Sequence, residues 1–162
     1  MQDTFSSLEQ KVWDKLQQVT DPEITSVSLV EMGMVDGVQV DGGIATVRMI
    51  PTFVGCPALS MMESDVTKAV SELEGITEVN VIFLKNPIWT SDRITAEGRE
   101  RLKEVGIAPP PLESKQEGVW EIECPYCGSP RTVLDNIFGP TACRSIFYCS
   151  TCKNPFEAIK PV

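Results

Sequence analysis

Cys124-Pro125-Tyr126-Cys127-Gly128 and, further on, Cys149-Ser150-Thr151-Cys152-Lys153-Asn154 decide how the later part of this chain folds. In each stretch two residues separate the cysteines, a spacing that lets a tight backbone knuckle present two thiolates to one ion. Two knuckles together supply the four soft donors of a tetrahedral metal site. Gly128 follows the first pair, where a knuckle often needs a positive φ. The sequence contains no histidine. A zinc ion held by Cys124, Cys127, Cys149 and Cys152 would therefore be all-sulfur, with no open coordination position, and its role structural rather than catalytic. Two disulfides, or a redox-active C-x-x-C, are the competing readings. The polar start Met-Gln-Asp-Thr-Phe has no signal-peptide pattern, so a reducing, cytoplasmic compartment is expected, which favours the metal. Cys143 lies between the knuckles and reads as a buried thiol. A substitute ligand or a redox partner of the site is the alternative.

Working outward from the cysteines, the segment around them has too few apolar residues to fold on its own, so a metal cross-link is physically required. Upstream of it, Ile107-Ala108-Pro109-Pro110-Pro111-Leu112-Glu113-Ser114 reads as a stiff, extended linker. That stretch sets the expected division into a domain over residues 1–112 and a linker plus four-cysteine ribbon over 113–162. Charge divides in the same way. The formal net charge of −9 belongs to residues 1–117, whereas residues 118–162 carry four acidic and four basic side chains. A phosphate backbone would be repelled by most of this surface, and the ribbon lacks the basic stripe that nucleic-acid binding needs. No apolar run is long enough to span a membrane. Protein partners, with neither nucleic acid nor membrane, are the expectation.

The first domain reads as α+β, with helices packed on a small mixed β-sheet. Ser6-Ser7-Leu8-Glu9 has the form of a capping box. Phe5, Leu8, Val12, Leu16 and Val19 then make one helical stripe, which Thr20-Asp21-Pro22-Glu23 ends, because proline disfavours helix at the residue before it. Met34–Val40 and Ile44–Ile50 flank Asp41-Gly42-Gly43, a hairpin signal. Leu59, Met62, Val66, Ala69, Val70 and Leu73 form the stripe of a helix expected to open at Pro57 and stop at Gly75. Glu78–Leu84 alternates as a third strand, and Thr95 is placed as the N-cap of a short helix over Ala96–Glu104, closed by Gly106.

The remaining cysteine, Cys56, stands in Pro51-Thr52-Phe53-Val54-Gly55-Cys56-Pro57, between a strand end and a helix start. With Pro57 as the first helical residue, Cys56 would be the N-cap, and the positive end of the helix would favour a low-pKa, partly exposed thiolate. A small side chain packed in a turn is the plain alternative. Without histidine no Cys-His dyad is available; a general base would have to be Asp21, Glu23 or Glu31. The glycines have hairpin spacing, not the spacing of a phosphate-binding loop. The chain does not read as a self-sufficient enzyme.

Several short motifs carry a resemblance. Asp21-Pro22-Glu23, Met32-Gly33-Met34-Val35, Thr52-x-x-x-Cys56-Pro57, Asn86-Pro87-Ile88-Trp89 and Gly106-Ile107-Ala108-Pro109-Pro110 resemble the iron–sulfur cluster assembly domain of the SufT type. The two knuckles, Phe138-Gly139-Pro140-Thr141, Cys143-Arg144-Ser145 and Pro155-Phe156-Glu157 narrow this resemblance to the PaaD/PaaJ family of the phenylacetyl-CoA epoxidase system. Arg93 departs from the pattern, which has an aromatic residue near it; only a local packing or docking detail is affected. The resemblance implies an accessory in aerobic phenylacetate catabolism, partnered by the subunits of a di-iron oxygenase and its reductase. It would act as a metal or cluster maturation factor. A structural or regulatory component of the complex, or a thiol enzyme, are the alternatives. Cys56, with Thr52, Asp21 and Glu23, would hold iron or a cluster transiently. One cysteine cannot ligate a cluster alone, so a homodimer or a partner's ligands would complete it.

Overall fold

The structure, a computed structural model, describes residues 7–112 and 121–161. Phe5, Ser6 and the linker residues Glu113 and Ser114 lie outside the described residues. The chain forms two compact units that divide between Ile88 and Trp89.

The first unit has the expected order of helix, two strands, helix, strand. Helix α1 spans Ser7–Leu16 and buries Val12 and Leu16. Strands β1 (Val35–Asp41) and β2 (Ile44–Met49) pair antiparallel. Their turn has φ of 56° at Gly42 and 82° at Gly43, the paired positive values that a two-residue hairpin turn demands. Ala45, Val47 and Met49 face the core and Ile44, Thr46 and Arg48 the other side, as the alternation requires. Helix α2 (Leu59–Ser71) crosses over and returns the chain to β3 (Glu78–Phe83), which pairs parallel to β2. The sheet order is β1-β2-β3. Helix α2 buries Met62, Val66 and Val70, side chains each worth about 1.5–3 kcal/mol when fully removed from water. Glu9 on α1 accepts a hydrogen bond from the Val40 backbone N–H at 3.0 Å, which satisfies a donor in β1.

Helix α2 differs from expectation at its start. Its N-cap is Ala58, with Leu59 as the first helical residue. Cys56 and Pro57 precede it, in consecutive turns closed by Cys56 N–H to Phe53 O (3.1 Å) and Leu59 N–H to Cys56 O (3.3 Å). Proline fits the first helical position, but it also fits a turn, and here the turn takes it.

The second unit holds a 3-10 turn at Ser91–Arg93, helix α3 (Ala96–Glu104) and four strands. Thr95 caps α3, its hydroxyl accepting from Gly98 N–H at 3.0 Å. Gly106, at φ 79°, follows the helix. Strands β4 (Ile107–Ala108), β5 (Thr132–Asn136), β6 (Arg144–Cys149) and β7 (Pro155–Ile159) lie in the order β4-β7-β6-β5. The ribbon is the antiparallel β5-β6-β7 meander. Strand β4 adds to it in parallel, Ile107 beside Glu157 and Ala108 beside Ala158. The start of the proline-rich stretch thus belongs to the ribbon sheet, so this unit begins well before the stretch itself. Its core gathers Ala108, Ile122, Cys124, Phe147, Cys149, Phe156 and Ala158. Phe147 and Phe156 stack with ring centroids 5.8 Å apart, which adds to burial alone. No helix among the described residues is long and apolar enough to cross a membrane.

Candidate functional sites

The cysteine quartet is built by two knuckles with one hydrogen-bond plan. Gly128 N–H donates to Cys124 O at 2.8 Å and Cys124 N–H to Ser129 O at 3.0 Å. In the second knuckle Lys153 N–H donates to Cys149 O at 3.0 Å and Cys149 N–H to Asn154 O at 3.0 Å. Each knuckle needs a left-handed residue, Gly128 at φ 71° and Lys153 at φ 61°. The glycine was readable in the sequence; the lysine was not, since side-chain-bearing residues seldom adopt that conformation. Ser129 and Thr151, one on each knuckle, join hydroxyl to hydroxyl at 2.7 Å.

The four sulfurs all lie within 4.8 Å of one another. Cys124 and Cys152 are 3.7 Å apart, Cys127 and Cys149 3.6 Å. A disulfide would require about 2.05 Å, whereas four sulfurs at about 2.3 Å from one zinc stand about 3.8 Å from each other. The donor set therefore fits zinc. Hydrogen bonds from the backbone N–H groups of Cys152 and, more weakly, Thr151 draw the Cys149 thiol down to about 6. Burial pushes Cys124 up to about 11, so a cation must displace its proton. Cys143 stays outside the quartet, with its sulfur 3.3 Å from the Thr141 hydroxyl.

The sequence did not announce a second device that stiffens the ribbon. Arg144, buried on β6, reaches Glu157 on β7 at 2.6 Å and the Thr141 hydroxyl at 2.9 Å. The only signal for it was an arginine in an otherwise apolar strand.

The second candidate site lies in the first unit. Cys56 is half-buried in the loop before α2, with Thr52 half-buried earlier in the same loop. Burial raises the Cys56 pKa above the ordinary thiol value; the Ala58 N–H opposes it, and the carboxylates of Glu23 and Asp21 add to the rise. The expected low-pKa thiolate is thus corrected. Cys56 is not the N-cap, and the charges that face it are negative. The Asp-Pro-Glu loop does come near Cys56, as the resemblance implied. Asp21 is buried, its Oδ1 accepting from the N–H groups of Glu23 (2.8 Å) and Ile24 (3.3 Å), so it also shapes the turn. Glu31, read as a possible base, closes a capping box instead. Its Oε2 accepts from Ser28 N–H at 2.9 Å, and its own N–H donates to the Ser28 hydroxyl at 3.0 Å. Cys56, Asp21 and Glu23 do not close into a compact ligand set; among the described residues the cysteine quartet is the only such group. The negative potential that holds the Cys56 proton also favours a metal cation in its place.

Comparison with known proteins follows the same division. Residues 9–81 match the iron–sulfur cluster assembly protein family, and residues 108–160 match the PaaD zinc beta ribbon domain. The chain is 36% identical over 151 residues to a candidate PaaD-type component of the 1,2-phenylacetyl-CoA epoxidase from Escherichia coli (strain K12). That match covers 93% of this chain and 91% of that protein. It is 32% identical over 90 residues to the Fe-S protein maturation auxiliary factor YitW of Bacillus subtilis (strain 168), covering 55% of this chain and 87% of the other. Among solved structures, a domain of unknown function (DUF59) from Bacillus anthracis superposes with a TM-score of 0.56 at 32% identity. It covers 59% of this chain and 92% of its own.

Proposed function

Because this chain belongs to the PaaD family of phenylacetyl-CoA epoxidase components, joining an iron–sulfur cluster assembly domain to a PaaD zinc ribbon, we propose that it is an accessory maturation factor without turnover of its own. Its cargo is iron or an iron–sulfur cluster, and its clients are the oxygenase or reductase subunits of the phenylacetyl-CoA epoxidase system. One observation carries the reading: in an assembly-type domain, a half-buried thiol sits beside the carboxylates of Glu23 and Asp21. A soft sulfur donor in a negative field is a ligand for iron. A single thiol without a closed ligand set holds its cargo weakly, which suits a carrier that must release it. Thr52 lies on the same loop and would help shape the site. Zinc, held by Cys124, Cys127, Cys149 and Cys152, supplies a cross-link and no chemistry.

The test is epoxidase activity and iron content of the oxygenase and reductase in cells that carry only the Cys56→Ala chain. We expect a folded, zinc-replete protein and partners deficient in iron and activity. Normal iron and normal activity would reduce Cys56 to a packing residue and end the maturation reading. Co-purification of the variant with the oxygenase at fixed stoichiometry, with partner iron intact, would instead assign the chain a structural place in the complex.

A further inference from the structure

We propose that β5 is a self-association edge through which two copies of this chain pair antiparallel about Val133, joining their ribbon sheets. The inference does not depend on the role of Cys56. Strand β5 is the outermost strand of the ribbon, bonded on one side to β6 through Thr132, Val133 and Leu134. Among the described residues no strand pairs with its other side. The strand is also apolar where it should be wet. Val133 is 55% and Leu134 46% exposed, and Phe138, just beyond the strand, is 76% exposed. An open edge with exposed apolar side chains is a template for another strand.

The sequence of the edge identifies the occupant. Arg131 and Asp135 are both exposed and stand two residues either side of Val133. A two-fold axis normal to the sheet keeps each face on its own side, so directly opposed residues must share parity. Centred on Val133, that operation sets Val133 against itself and Thr132 against Leu134 twice. It sets Arg131 against Asp135 of the other copy twice. Opposite charges directly across a strand pair stabilise it, and like charges oppose it. A slip of two residues in either direction loses both ion pairs. A second copy therefore matches this edge by its own symmetry, as an isologous contact must. The ladder between β5 and β6 is irregular between Leu134 and Asn136. A bulge there bends the strand and limits the pairing to a short stretch, which makes a closed pair rather than a growing fibre.

The experiment is sedimentation equilibrium of the full, zinc-loaded chain over a range of concentrations. It compares the native chain with Arg131→Asp, Asp135→Arg and the double reversal, each checked for zinc content and circular dichroism. We expect a reversible dimer that each single reversal weakens about tenfold, through two like-charge contacts, and that the double reversal restores to within about threefold. A native chain that stays monomeric throughout overturns the proposal, as does a double reversal no tighter than the single ones. A monomeric chain whose Leu134→Lys variant alone fails to capture an oxygenase subunit would give the edge to a different protein, and would equally overturn self-pairing.

Discussion

Glu23 and Asp21 act on Cys56 through charge, and the sign of that action is testable. Both carboxylates hold the thiol in its protonated form. Neutralising one lowers the Cys56 pKa and, at any pH below it, raises the thiolate fraction and the rate of alkylation. Glu23→Gln is the cleaner substitution, because Glu23 is exposed whereas Asp21 also fastens its turn. We expect iodoacetamide to label the Cys56 peptide about twofold faster at pH 8 in Glu23→Gln, a modest change because water screens an exposed charge. An unchanged rate, followed by mass spectrometry of that peptide, would detach the acidic loop from the thiol. At this scale the cysteine quartet was legible because its spacing is local and its chemistry exclusive. The environment of Cys56 was not. Its pKa depends on carboxylates brought from a distant loop and on a helix that starts at Leu59 rather than Pro57, and neither is written in the neighbouring residues.

The hairpin between β1 and β2 separates two glycines that look alike in sequence. Both have positive φ, but a Cβ on Gly42 would meet nothing within 4 Å, whereas one on Gly43 would stand 3.0 Å from the Gly75 carbonyl oxygen. Gly43 O also accepts from Thr77 N–H at 2.8 Å, tying the turn to the start of β3. Gly42→Ala therefore meets backbone strain alone, about 1 kcal/mol, and Gly43→Ala meets strain and contact together, about 2 kcal/mol or more. Urea midpoints of the two variants measure the difference; equal values would mean that the turn relaxes away from Gly75. The α and β elements of the first unit were legible because stripe and alternation have distinct periods. Strand β4 was not. It is two residues long, it adjoins three prolines, and only its partner β7, distant in sequence, makes it a strand.

The whole molecule combines one unit held by an apolar core with another whose core includes metal ligands. Cys124 and Cys149 belong to the buried cluster of the ribbon, so removing the ion leaves thiols where the packing needs a cross-link. We expect a strong zinc chelator to abolish amide-exchange protection in β5, β6 and β7 while α2 and β1–β3 keep theirs. Retained protection in the metal-free ribbon would show that Phe147, Phe156 and the Arg144–Glu157 pair suffice. At this scale the sequence foretold an acidic α+β unit followed by a ribbon, since composition shifts along the chain. It did not foretell that the ribbon's unit begins at Trp89, which depends on the pairing of β4 with β7. That pairing has a consequence for the birth of the chain on the ribosome. Strand β4 emerges before either knuckle and β7 after both, so their sheet cannot close until all four cysteines have been synthesised. Capture of the ion and closure of the sheet are a single late event, and the carrier unit, complete by Ile88, is free to fold before the ribbon has a shape.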